Sequence, residues 1–102
     1  MNDERTLLRH MVATIAYRGG KALLDAPEGF GSYRAAPGSR RAVEILSHMG
    51  DLFAWGLALA DGERRWSEDG SNDWDRQLER FFAGLAVVDA RLASAEPLGR
   101  PA

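Results

Sequence analysis

Apolar residues recur with helical spacing in three stretches of the chain. In residues 4–25, one face of such a helix carries Leu8, Met11, Val12, Ile15, Gly19, Ala22 and Leu23. In residues 39–61, one stripe carries Ile45, Met49, Leu52, Gly56 and Leu59. In residues 73–94, spacings of four and three link Trp74, Leu78, Phe81, Leu85, Val88 and Leu92. This spacing predicts three helices, each about 30 Å long, and no segment alternates as a strand does, so the expected fold is all-α.

Two connections of different character separate these helices. Residues 26–38 contain two prolines and several glycines, which predicts a loop. Phe30 and Tyr33 in this loop are expected to pack on one end of the core, and a lid over a pocket is the alternative. Residues 62–72 are mostly polar and can span about 35 Å when extended. They can therefore cross the length of a bundle and leave the flanking helices parallel.

Residues that favour helix ends set the expected boundaries. Ser39 is the predicted N-cap of the second helix and Gly62 its terminator, while Asp73 is one of three N-cap candidates for the third. The pair that begins at Gly19 weakens a helix by about 1 kcal/mol per glycine, so either the helix bends there or another element packs closely. Close packing is favoured at Gly19, because this residue lies in the apolar stripe. The tail, residues 95–102, contains two prolines and is expected to fray.

Length and composition limit the classes of protein that the chain can represent. With 102 residues, the sequence predicts a single domain over residues 1–102. It contains no cysteine, which excludes disulfides and thiolate metal sites and fits a cytoplasmic location. The net charge of −2 argues against nucleic acid as a partner. No secretion signal is visible, and the longest apolar run is far shorter than the roughly 20 residues that cross a membrane.

His48 stands among the core positions of the second helix and is the chief candidate for site chemistry. Glu44 and Asp51 flank it on the same helix, but His10 faces away, and a catalytic metal needs three protein ligands. The residues alone therefore favour a partly buried, hydrogen-bonded His48 over a metal ligand. No nucleophile, base and orienting group can be assembled, so no catalytic residue is predicted. A small-molecule pocket is a further hypothesis, with the lining residues Tyr33, His48, Leu52 and Trp55.

The order of segments resembles a known family. The loop APEGFGSYRAAPGS, the stretch EILSHMGDLFAWGLALADG and the helix DRQLERFFAGLAVVDARL are similar to the DinB-like (YfiT-like) helical bundle proteins over nearly the whole chain. The most specific part is EILSHMGDLFAW, where that family places a histidine. The resemblance implies an up-down four-helix bundle with a long crossover between its second and third helices. It also implies a divalent transition metal, zinc or nickel, and a relation to metal-dependent hydrolases or thiol transferases.

This chain departs from the family pattern because it holds only three of the four helices. Of the implied metal ligands, only the one at His48 carries over, since the fourth helix and its H-x-x-x-H pair have no counterpart. A groove shaped for a fourth helix would expose more apolar surface than a monomer tolerates. We therefore expect a homodimer, which would complete the metal site across two chains if one forms. The alternatives are a non-enzymatic helical interaction module and a truncated form of a longer protein.

Overall fold

Three long helices and one short one make up the structure, a computed structural model that describes residues 3–99. They are α1 (Asp3–Leu24), a 3-10 helix (Phe30–Ser32), α2 (Ala42–Ala60) and α3 (Trp74–Ala93). Residues 3–99 contain no β-strand, so the predicted all-α fold is confirmed. Within the same range, none of the helices combines the length and the apolar character that a membrane span requires. The predicted helix bounds agree to within one residue except at the start of α2.

The helices α2 and α3 run parallel, and the segment between them crosses the length of the bundle. Arg80, in the first half of α3, donates a hydrogen bond to Asp51 in the middle of α2. Arg91, near the end of α3, donates to Asp61, which directly follows α2. The residue numbers of α2 and α3 therefore increase in the same direction, so the two helices are parallel. The predicted long crossover between the second and third helices is confirmed.

The helix α1 runs antiparallel to α3 and approaches it through small residues. Arg9 of α1 pairs with Asp89, late in α3, at 2.9 Å. Gly20, late in α1, lies against Phe82 in the first half of α3, and a Cβ at Gly20 would be only 2.7 Å from Cε1 of that ring. The close packing expected at Gly19 is also confirmed, since a Cβ there would lie 3.1 Å from Cζ of Phe81.

The core lies on α3, between the other two helices. Phe81 and Leu85 of α3 are buried against Leu46 of α2. Partly buried residues from all three helices surround them: Val12, Ala16, Leu23, Met49, Phe53, Trp74, Leu78 and Phe82. The apolar seam predicted for the third helix is thus the central surface of the bundle.

The stripe predicted for α2 is not the main face that packs on α3, so the prediction of which side of this helix is buried was wrong. The buried residues of α2 are Val43, Leu46, Ser47, Gly50, Asp51 and Ala58. From the predicted stripe, Ile45 is 51% exposed and Leu52 is 41% exposed. The helix is apolar around most of its circumference, so periodicity could not identify its buried side. From that stripe only Met49 packs against the core cluster, while Ile45 and Leu52 stay half exposed.

The caps of the helices agree with the sequence except at the start of α2. That helix begins three residues later than predicted, with Arg41 as N-cap, and the backbone N–H of Arg41 donates to Glu44 Oε1 at 3.0 Å. The hydroxyl of Ser39 instead closes the preceding turn. Asp73 caps α3 as expected. Gly62 follows α2 with a φ of 80°, a left-handed conformation that suits glycine.

The tail is held against the bundle as far as the structure describes it. Arg5 from α1 and Arg91 from α3 donate hydrogen bonds to backbone carbonyls of this segment. The N–H of Gly99 donates to the carbonyl of Ala60 at 2.6 Å. Two arginines from different helices thus satisfy the carbonyls of Glu96 and Pro97, and the fraying of residues 95–102 stays a prediction. The rest of the predicted tail lies outside the described residues.

Candidate functional site

His48 lies on the exposed side of α2, against Trp66 of the crossover. The two ring centroids are 6.0 Å apart in an edge-to-face arrangement. Trp55 meets the same indole ring from further along α2, at 6.1 Å. The predicted partial burial of His48 is not observed, because the buried face of α2 runs through Ser47 and Asp51 and turns the imidazole to the surface. His48 thus packs on the crossover rather than on the core.

A polar cavity with a volume of about 350 Å³, which we call the crossover cavity, opens beside His48. Its lining is Arg40, Glu44, Ser47, His48, Asp51, Glu68, Gly70, Ser71 and Asn72. Two of its three carboxylates already have cationic partners: Glu44 accepts from Arg41, and Asp51 accepts from Arg80. The hydrogen bonds from Arg41 hold the pKa of Glu44 below its ordinary value. Most of the negative charge at this cavity is therefore already compensated within the chain.

The pair formed by Asp51 and Arg80 is the most buried charged contact among residues 3–99. Arg80 Nη2 lies 2.8 Å from Asp51 Oδ1, and the two side chains are only 23% and 6% exposed. The same carboxylate oxygen accepts the backbone N–H of Asp69 at 3.1 Å. Arg80 Nη1 donates to Oε1 of the fully buried Gln77 at 2.7 Å. No local pattern in the sequence pairs Asp51 with Arg80, although a buried carboxylate on an apolar helix requires a cation or hydrogen-bond donors.

Asp69 extends this network into the crossover. Its carboxylate accepts from Arg76 and, at 2.8 Å, from the Gln77 amide. These hydrogen bonds, the one from Arg76 above all, hold the pKa of Asp69 well below its ordinary value. The network therefore attaches the crossover to both parallel helices. Its carboxylates are engaged in this structural role and are not free for catalysis.

The predicted metal site gains no further ligand from the fold. Nowhere in residues 3–99 do three or more histidine and carboxylate side chains group so that they could hold a metal ion. His10 is exposed on α1, as expected for a surface residue. Glu44 caps α2 and Asp51 pairs with Arg80, so neither carboxylate supports His48. Within one chain, residues 3–99 do not supply a catalytic centre with three protein ligands.

The predicted pocket residues lie in different surroundings. Tyr33 stacks on Phe30 at 5.7 Å, next to the start of α2, where its carbonyl accepts the N–H of Ala42. Trp55 lies thirteen residues further along α2, roughly 20 Å away at helical rise. Leu52 is half exposed on the same helix. The fold thus brings Trp55 and His48 together around Trp66 but leaves Tyr33 at the other end of α2.

An apolar groove separates α1 from α2, with α3 as its floor. It contains cavities of about 530 Å³ and 410 Å³ at its two ends. The walls include Leu8, Met11, Ile15 and Gly19 from α1 and Met49, Gly56 and Leu59 from α2, and the floor includes Phe81, Val88 and Leu92. Leu52 and Ile45 continue the α2 wall, since each lies one turn from Met49. We call this surface the α1–α2 groove.

The side chains of the α1–α2 groove and of the crossover cavity are the evidence for what these two surfaces do. Comparisons of the chain with protein-family models, with curated proteins and with solved structures found no match.

Proposed function

We propose that this protein is a helical interaction module that pairs with a second copy of itself through the α1–α2 groove. The observation that carries the proposal is the half-exposed apolar side chains on both walls of the groove. Ile15 of α1 and Leu52 of α2 are each 41% exposed, and Met11 is 52% exposed. Monomeric proteins rarely keep a contiguous apolar surface of this kind open to water. A helix laid in the groove would cover both walls at once.

The composition of α2 supports the same conclusion. One side of this helix, which includes Val43 and Leu46, is buried against the rest of the protomer. The other side, with Ile45 and Leu52, is as apolar and stays half exposed. A helix that is apolar on opposite sides is expected to be covered on both. The protomer covers one side, and a second chain would cover the other.

The free energy that covering the groove would release suits a reversible dimer. Full burial of a large apolar side chain contributes about 1.5–3 kcal/mol, so each half-exposed side chain has about 1 kcal/mol still to gain. Five such residues per protomer line or flank the groove: Leu8, Met11, Ile15, Ile45 and Leu52. The gain for two protomers is then about 10 kcal/mol, against an association cost of about 4–15 kcal/mol. We therefore expect an equilibrium between monomer and dimer rather than a permanent complex.

Sedimentation velocity over a wide range of protein concentrations tests this proposal. Leu52→Glu puts a charge on the groove wall and should shift the population to monomer. Val87→Glu is the matched control, because Val87 is similarly exposed, at 48%, but is not among the residues that line the groove. The proposal fails if the unmodified chain is monomeric at every concentration, or if the two substitutions weaken association equally.

The DinB-like activity and the zinc or nickel at His48 remain predictions of the resemblance. Such a centre would need ligands beyond those that residues 3–99 supply, and they would have to come from a contact at the crossover cavity, because His48 does not line the α1–α2 groove. Calorimetric titration with Zn²⁺ or Ni²⁺, repeated on His48→Ala, tests it: one bound equivalent per chain that the variant loses would support the metal site. The lack of cysteine fits the predicted cytoplasmic location. Neither nucleic acid nor a membrane has a place in the proposal.

A further inference from the structure

We infer that the two copies pack antiparallel along α1, with Met11 at the two-fold axis. This inference rests on the proposed dimer and gives its geometry. It comes from the order of charged and apolar residues on the exposed face of α1. That face is separate from the side of α1 that packs on α3, which includes Val12, Ala16 and Gly20.

The exposed stripe of α1 is acidic at one end, apolar in the middle and basic at the other end. At about 100° per residue, Glu4, Leu8, Met11, Ile15 and Arg18 fall along one side of the helix. All five are exposed in the protomer. Four of the five line the cavities of the α1–α2 groove, namely Leu8, Met11, Ile15 and Arg18. The stripe that meets a partner therefore carries opposite charges at its two ends.

Such a stripe is complementary to itself only when the two helices run in opposite directions. With Met11 on the two-fold axis, each residue faces the one equally far from Met11 on the other side. Glu4 then lies opposite Arg18 of the partner subunit. Leu7, which is 60% exposed at the edge of the stripe, lies opposite Ile15 of the partner subunit. A parallel arrangement would place like charges together, which is unfavourable. Because the axis repeats every contact, two Glu–Arg pairs enclose one apolar centre.

Arg18 has the properties that this arrangement requires. It is exposed, and its guanidinium forms no salt bridge in the part of the chain that the structure describes. Three arginines that hold the helices together, Arg9, Arg80 and Arg91, are by contrast paired with carboxylates. Arg18 also borders the apolar cavity at the far end of the groove, beside Ile15. Its charge is thus available at the edge of the surface that a partner would cover.

The register also suits the length and direction of the groove. Residues 3–19 overlap fully in this arrangement, which corresponds to roughly 25 Å of helix. In the protomer, α1 and α2 are antiparallel, since residues 8–15 lie beside residues 56–60 while residues 15–23 lie beside Met49. The α1 of the partner subunit therefore runs parallel to α2. One helix can then contact both walls of the groove, and the two-fold axis gives each protomer the same role.

Charge reversal tests the register. Glu4→Arg and Arg18→Glu each convert two attractive contacts into repulsive ones, so each should weaken the dimer by roughly tenfold at low salt. The double variant restores opposite charges and should return to the affinity of the unmodified chain. The matched controls are Glu79→Arg and Arg64→Glu, which make the same charge changes at exposed positions outside the groove. The differences should shrink in 1 M salt, where the screening length is about 3 Å.

The outcomes separate this inference from the proposal on which it rests. If the chain dimerises, Leu52→Glu abolishes the dimer, and the double charge variant is no better than the single ones, then the register is wrong and the groove dimer stands. Single variants that behave like Glu79→Arg and Arg64→Glu would overturn the register in the same way. A chain that stays monomeric at all concentrations would overturn both, and the groove would then have a different occupant.

Discussion

The buried contact between Asp51 and Arg80 offers a direct test of what fixes the crossover. Arg80→Met keeps an apolar stem of similar length but removes the guanidinium. Asp51 Oδ1 and Gln77 Oε1 would then lose the donors that they have at 2.8 Å and 2.7 Å. The Asp51 side chain is only 6% exposed, so water cannot replace the lost donor without local rearrangement.

The expected loss of stability follows from this burial. Removing one partner of a buried ion pair costs about 3–5 kcal/mol, because the other charge is left uncompensated. Here Arg80 is 23% exposed and Asp51 keeps its hydrogen bond from the Asp69 N–H, so we expect a smaller loss, about 2–3 kcal/mol. A domain of this size has about 5–15 kcal/mol in total. The midpoint of thermal unfolding should therefore fall by about 10–20 °C.

Urea unfolding followed by tryptophan fluorescence measures this loss, and two further variants control it. Arg76→Met removes an arginine of the same network whose side chain is 57% exposed, so its unfolding midpoint should fall clearly less than that of Arg80→Met. In Asp51→Leu/Arg80→Met both charges are gone, and part of the stability should return, because no uncompensated charge is left, although the Asp69 N–H and Gln77 Oε1 each lose a partner.

Two results would refute this reasoning. If Arg80→Met unfolds at the same urea concentration as Arg76→Met, then the buried pair does not fix the crossover. If the double variant is less stable than Arg80→Met, then the uncompensated Asp51 charge is not the source of the loss.

The glycine contacts and the lowered carboxylate pKa values give further predictions. Gly20→Ala should lower the free energy of unfolding by about 1–3 kcal/mol, measured by thermal unfolding, because the added Cβ would meet the Phe82 ring. Gly56→Ala should raise it slightly, because nothing lies within 4 Å of the added Cβ and alanine favours the helix. The pKa of Asp69 is lowered in the folded state, so its contribution to stability is complete well above the ordinary value of 3.8 and is lost as the pH falls below it. Between pH 7 and pH 3, the free energy of unfolding measured in urea should therefore fall less for Asp69→Asn than for the unmodified chain. An equal fall in both proteins would contradict the assigned role of Asp69.

The sequence predicted the parts of the fold that depend on local periodicity and on chain length. The seam of α3 was clear because polar residues occupy its other side, and the crossover followed from the length and polarity of residues 62–72. The orientation of α2 was not predictable in this way. With apolar residues on two sides, its rotation is decided by the contacts of a few polar residues, above all Asp51.

The site features that were missed all depend on contacts between distant parts of the sequence. Asp51 and Arg80 are 29 residues apart, and only the register of two parallel helices brings them together. The contact of Arg5 with the tail spans an even longer separation, since Arg5 and Glu96 are 91 residues apart. His48 was misplaced because its burial follows from the rotation of α2. One signal was present: a serine and an aspartate four residues apart on an apolar helix, Ser47 and Asp51, mark a side that needs polar partners.

The central position of α3 also determines the order in which this chain can fold. Helices α1 and α2 are neighbours in sequence, yet the groove keeps them apart, so they cannot form a stable hairpin first. The contact of Arg9 with Asp89 closes a loop of 80 residues, far longer than the loops that let simple helical bundles fold quickly. During synthesis, which proceeds from the N-terminus, α1 and α2 have no common surface to pack on until residues 74–93 have emerged. For that interval both helices carry uncovered apolar faces, and the chain depends on its last helix to bring the first two into one structure.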